Sequence, residues 1–157
     1  MSISIIRATS EQLLALWNGR FDGFIDVTLR QMADGELENY QICDDGIPFG
    51  ELSVVWRLDD PDEANGTDTA TLQGLRIDEA HAGRGYAGQL VRHALDVVRS
   101  RGFQYCTIGA DDFDGERLQS MYRHLGFMEP VKHSSFEYDY HGERKTCTYA
   151  LLRQKLF

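Results

Sequence analysis

The segment from Thr69 to Ala110 places the strongest constraint on the fold of this chain. TATLQGLRI (69–77) reads as a strand, and the apolar run FQYCTIGA (103–110) reads as another. Between them, Tyr86, Leu90, Val91, Ala94, Leu95 and Val98 fall on one face of a helix spanning Tyr86 to Ser100, which Gly102 ends. A strand, a helix and a strand in this order form a right-handed crossover, so the two strands are expected to be parallel with the helix across one sheet face.

The flanking segments predict antiparallel neighbours. ISIIRA (3–8) reads as a strand, and Thr9 with Gln12 makes a capping box for a short helix over EQLLALW. FIDVTLRQMADG (24–35) predicts a second helix stopped at Gly35. Residues 38–58 predict two strands around the turn Asp44-Asp45-Gly46, because an Asp-Gly pair suits a tight hairpin. DDPDEANGTD (59–68) reads as a polar loop. A helix within 111–127 carries Leu118, Met121, Tyr122 and Leu125 on one face, with Gly126 as a left-handed cap. The stretch 134–152 predicts a hairpin turning near His141-Gly142. The expected class is α+β: one domain over 1–157, a mostly antiparallel twisted sheet with one parallel crossover, and helices on both faces.

Charge narrows the partners. The net charge is −9, and residues 34–68 hold eleven Asp or Glu against one Arg. Nucleic acid, which needs basic patches, is not an expected partner. The acidic segment reads either as a solvated loop or as a negative funnel favouring cationic, even polycationic, amines. The three cysteines and five histidines are scattered without ligand spacing, so no metal is expected. No apolar run is long enough for a bilayer span and no signal peptide is evident. A cytoplasmic protein that does not bind membranes is therefore expected. Edge strands in the C-terminal hairpin are compatible with a homodimer.

Ahead of the crossover helix lies Ala82-Gly83-Arg84-Gly85-Tyr86-Ala87-Gly88. A helix N-terminus offers unpaired N–H groups and partial positive charge, and glycines let a phosphate approach them closely. Arg84 adds a cation at the rim. A triphosphate loop is excluded because no Gly-Lys-Ser/Thr follows. The dinucleotide fingerprint is matched literally, with Asp111 near the place of a ribose-binding acid. Against it, residues 77–82 separate strand from glycines, and repeated βα alternation is absent.

The order of motifs resembles the GNAT superfamily of N-acetyltransferases. LQGLRIDEAHAGRGYAGQLVRHAL (72–95) resembles its acetyl-CoA motif, and YRHLGF (122–127) resembles its Tyr-x-x-x-Gly-Phe helix ending. The resemblance covers essentially the whole chain. It implies acetyl-CoA as co-substrate and a primary amine of a small molecule or peptide as acceptor. It also implies that the backbone of Leu75, Arg76 and Ile77 bonds the pantetheine arm, and that Gly83, Arg84, Gly85, Tyr86, Ala87 and Gly88 bond the pyrophosphate. Tyr122 is implied as general acid. Three positions depart from the family pattern: Ala82 replaces the loop's leading Arg or Gln, Gly115 replaces an Asn, and Ala110 replaces a Glu used as base in some members.

Acetyl transfer needs a neutral amine, a polarised carbonyl and a proton for the departing thiolate. A backbone N–H near Leu75 could polarise the carbonyl, and an ordinary phenol suits protonation of a thiolate. For the base, Glu51 on a central strand and Asp112 beyond the second parallel strand lead, with Asp111, a water held by Gln73, or a water chain as alternatives. A non-catalytic acyl-CoA-binding module is the other reading.

Overall fold

The computed structural model describes residues 1–111 and 115–157. Seven strands form one sheet in the order β1-β2-β3-β4-β5-β7-β6. They are β1 (Ile3–Arg7), β2 (Leu37–Asp44), β3 (Ile47–Val55), β4 (Thr69–Ile77), β5 (Tyr105–Asp111), β6 (Glu129–Tyr140) and β7 (Glu143–Lys155). Among the described residues only β4 and β5 pair in parallel; every other neighbouring pair is antiparallel. The helices are α1 (Ser10–Trp17), α2 (Asp22–Ala33), α3 (Tyr86–Ser100) and α4 (Gly115–His124), with a short 3-10 turn at Glu79–His81.

Local sequence signals account for most boundaries. Thr9 and Gln12 form the reciprocal capping box at α1. The β2–β3 turn has Asp45 and Gly46 both at positive φ, as does the β6–β7 turn at His141 and Gly142. Positive φ at both central residues is the backbone whose twist matches a two-residue hairpin. The C-terminal hairpin is longer than predicted, because Pro130 is accommodated at a register shift and the pairing runs back to Glu129–Arg153.

Strand parity places helices on both faces. Leu52, Val54, Ala70, Leu72, Cys106 and Ile108 turn toward α3 and join the main core. Leu90, Val91, Ala94 and Val98 of α3 are wholly buried there. Burial of a Leu or Val contributes about 1.5–3 kcal/mol each, so this interface is the principal apolar stabiliser. The opposite face carries α1 and α2, with Gln41 of β2 bonded to the Gln12 carbonyl and Glu51 bonded to Trp17.

Two irregularities matter for the site. Ser53 pairs with Gln73 and Glu51 with Arg76, so Gly74 and Leu75 together oppose Leu52. Gly74 has φ +68, the left-handed geometry of the first residue of a glycine bulge. The extra residue inverts the alternation of β4: Arg76 joins Glu51 on the α1 face, and Leu75 and Ile77 pack against the α3 core. Gln73 and Leu75, two positions apart on β4, therefore face opposite sides of the sheet. In addition, β4–β5 pairing stops at Leu72–Ile108, although β4 continues to Ile77 and β5 to Asp111. Beyond that pair the two strands part.

Candidate functional site

The parting of β4 and β5 opens a cavity of about 800 Å³ through the sheet. Gln73, Gly74 and Leu75 line one side and Gly109 and Asp111 the other, with Tyr122 among its walls. Backbone groups on the facing edges of these strands lie beyond the last parallel pair, which is where an extended ligand arm can bond as an added strand. Leu75, Arg76 and Ile77 all lie on the stretch of β4 that has left β5 while staying beside β3.

The glycine loop lies beyond the end of β4. Asp78 caps the 3-10 turn by accepting from the His81 N–H, and the His81 ring stacks on Phe49 at 3.9 Å. Gly83 and Gly85 both take positive φ, which an L side chain resists. Gly85 is the N-cap of α3 and no side chain caps that end. The first-turn N–H groups at Tyr86, Ala87 and Gly88 thus precede the helix's own hydrogen bonding, as an anion site requires. The Tyr86 ring is buried against Phe49 at 4.9 Å, so this residue offers the loop its backbone alone. A side chain at Gly88 would meet the Arg92 guanidinium at 3.2 Å. Arg92 therefore lies over the helix N-terminus, a second cation beside Arg84 that the sequence reading did not single out. Among the described residues neither forms an ion pair.

YRHLGF is a helix stop. The Phe127 N–H bonds the Tyr122 carbonyl at 3.0 Å and the Gly126 N–H bonds the Arg123 carbonyl at 2.9 Å. With Gly126 at φ +105, this is the paired bonding of a Schellman motif. Its accompanying apolar contact is Tyr122 against Phe127, ring centroids 6.4 Å apart. The spacing Tyr-x-x-x-Gly-Phe therefore sets where α4 ends and fixes the tyrosine one turn before that end. Tyr122 is 6% exposed. Burial, then the nearby Asp111 charge, push its phenol up to about 12, above the ordinary value on which the sequence-based match to a thiolate rested.

Glu51 is buried, and its carboxylate accepts from Trp17 Nε1 at 2.9 Å, Asn39 Nδ2 at 3.1 Å and Arg76 Nη1 at 3.0 Å. Arg76 in turn lies 4.0 Å over the Phe21 ring. One carboxylate thus joins β2, β3, β4 and α1. Asp112 lies outside the described residues.

The acidic 59–68 connection is not simply a solvated loop. Ala64 is fully buried, Arg57 bridges to Asn65, and the Glu63 carbonyl accepts from Thr107 Oγ1 at 2.8 Å. Glu63 is 8% exposed, faces the same cavity, and accepts a hydrogen bond from the Tyr149 hydroxyl. Sequence reasoning passed over it as one acid among many. The available signal was Ala64, an apolar residue beside it in an otherwise polar run.

The chain belongs to the acetyltransferase (GNAT) family, whose model matches residues 7–127. A comparison with curated proteins finds no match. Among solved structures, an N-acetyltransferase from Staphylococcus aureus Mu50 superposes with TM-score 0.74 at 15% identity, covering all of both chains. The ribosomal-protein-S18-alanine N-acetyltransferase from Escherichia coli gives TM-score 0.74 at 16% identity over 99% of this chain and 94% of that one. A putative acetyltransferase from Salmonella typhimurium, with its cofactor acetyl-CoA, gives 0.69 at 16% identity over 100% and 95%. Likeness at these identities establishes the fold. Among the described residues no His, Cys, Asp or Glu group is arranged to hold a metal, and no helix is long and apolar enough to cross a membrane.

Proposed function

We propose that this protein transfers the acetyl group of acetyl-CoA to a primary amine of a small molecule or peptide. The observation that supports it most is the alignment of three features. An uncapped helix N-terminus flanked by Gly83 and Gly85 can take the pyrophosphate, the parted strands can take the pantetheine arm, and Tyr122 stands at the cavity wall. Family membership and a structural neighbour carrying acetyl-CoA support the same donor.

On this reading Gly83, Arg84, Gly85, Tyr86, Ala87 and Gly88 hold the phosphates through backbone N–H groups and the Arg84 cation. Leu75, Arg76 and Ile77 orient the arm. The Tyr122 hydroxyl, kept protonated by burial, donates a hydrogen bond to the sulfur. It relays to sulfur the proton that the attacking nitrogen loses and never holds a full negative charge. Glu51, already accepting from three side chains, is a positioning residue for Arg76 and α1. The acceptor enters from the α1–α2 face, where Phe21, Phe24, Phe136 and Tyr138 form an apolar wall and Asp59 and Glu63 supply negative charge. That combination favours a cationic amine with an apolar body over a bare polycation.

The test is thiol release from acetyl-CoA with spermidine, tyramine, phenethylamine and a peptide N-terminus as acceptors. At least one should accelerate release, and Tyr122→Phe should slow the fastest by ~10²-fold or more, the scale of a lost proton-transfer group. Binding of acetyl-CoA without amine-dependent release would instead mark a non-catalytic acyl-CoA module.

A further inference from the structure

The proposed reaction needs a group to deprotonate the acceptor ammonium, and this inference rests on that reading. Three observations single out one side chain. Glu63 is held on the cavity floor by its backbone: its N–H bonds Asp60 at 3.1 Å and its carbonyl accepts from Thr107. Its carboxylate bonds the Tyr149 hydroxyl, and Tyr149 lies directly across the sheet from Asp111, beside the strand edge that parts from β4. Gly109 leaves room for that ring, since a Cβ there would come 2.8 Å from Tyr149 Cδ2. The carboxylate is thus turned to the acceptor face, next to the place where the strands open.

We propose that Glu63, hydrogen-bonded to Tyr149, is the base that takes the proton of the acceptor ammonium. The ammonium N–H bond breaks and its proton passes to the Glu63 carboxylate, directly or through the Tyr149 hydroxyl, which loses one proton and gains one. The freed amine forms the C–N bond as the C–S bond breaks. The nitrogen's second proton ends on sulfur, and Glu63 returns its proton to water. Around Glu63 stand Asp60, which raises its carboxyl, and Tyr149 and Lys132, which lower it; burial is the largest influence and leaves it above the ordinary value. A carboxyl raised in this way accepts a proton more readily.

The experiment measures thiol release across pH for the full chain, Glu63→Gln and Tyr149→Phe, with the four acceptors named above, beside acetyl-CoA binding by calorimetry. Glu63→Gln keeps the shape and an acceptor oxygen for Tyr149. Expected are an acetyl-CoA Kd within twofold of wild type and a kcat/KM lower by ~10²-fold at neutral pH. The deficit should shrink as pH rises toward the amine's own pKa, and Tyr149→Phe should show a smaller deficit of the same shape. Full activity in Glu63→Gln, or a loss equal at every pH, overturns the proposal. A wild type that binds acetyl-CoA but acetylates none of the amines removes the enzymatic reading and this one with it. A wild type that acetylates, with an unaltered profile in Glu63→Gln, removes this one alone.

Discussion

Replacing Glu51 separates a structural carboxylate from a catalytic one. Its side chain is 4% exposed and receives donors from Trp17, Asn39 and Arg76. In Glu51→Ala, Arg76 can turn to water because its side chain is 40% exposed, so its share is small. Trp17 and Asn39 are buried and cannot. Trp17 Nε1 loses its acceptor outright at about 1–3 kcal/mol, whereas Asn39 Nδ2 keeps its bond to Ser53 Oγ at 3.0 Å and loses about 1 kcal/mol, for a total of about 2–4 kcal/mol, a large part of the stability of an ordinary domain. Glu51→Gln keeps one acceptor oxygen but sets an amide N–H against other donors, for a loss of about 1–2 kcal/mol. At about 2–4 °C per kcal/mol for a chain of this size, the melting midpoint should fall by roughly 2–8 °C. Urea unfolding followed by tryptophan fluorescence gives the stability, and thiol release on the same samples gives kcat. Glu51→Gln should lose stability while keeping kcat within ~10-fold. A Gln variant as stable as wild type yet inactive would refute the reasoning and make Glu51 the base in place of Glu63.

Other outcomes follow from the same geometry. Gly74→Ala must hold an L side chain at φ +68, where its Cβ meets Arg76 Nη1 at 3.2 Å. The cost is about 1–2 kcal/mol of stability, with a raised KM for acetyl-CoA in steady-state assays. Arg84→Gln and Arg92→Gln should each weaken acetyl-CoA binding about two- to fivefold, with the gap narrowing as salt is added in calorimetric titrations. Burial lifts the Glu63 carboxyl above its ordinary 4.5, so the folded state holds that proton more tightly than the unfolded chain does. Its stabilising contribution is complete below that value and is lost as pH rises through the raised one. Glu63→Gln escapes this loss, so its urea midpoint should gain on wild type between the acid limb and neutrality.

Elements specified by nearby residues were legible in the sequence. The apolar face of α3, the two hairpin turns and the Gly126 stop each depend on residues within a few positions of one another. The resemblance singled out Tyr122 and the glycine loop as candidates. What was not legible came from contacts distant along the chain. Glu51 read as a candidate base because nothing in the sequence tells that Trp17 and Asn39 converge on it. Glu63 was hidden in a segment whose polar composition implies solvent, whereas Thr107 and Tyr149, far along the chain, draw it under the sheet. Arg92 reads as an ordinary exposed helix residue until Gly88, one turn earlier, is seen to leave space for it. Gly74 was visible as a glycine inside a strand, a common sign of a bulge, but its partner register is a property of the sheet.

The bulge at Gly74 changes what a residue count along β4 means. Before it, even-numbered positions turn to the α3 core and odd ones to the α1 face; after it, the rule reverses. A charge introduced at 72 and another at 76 would fall on the same face of an uninterrupted strand, yet here the first enters the apolar core and the second replaces a cation that already has a carboxylate partner. A substitution scan of β4 should therefore show tolerance out of step across residue 74. A shift of one residue lets a single strand supply core packing at one end and, beside the opening, a polar anchor at the other.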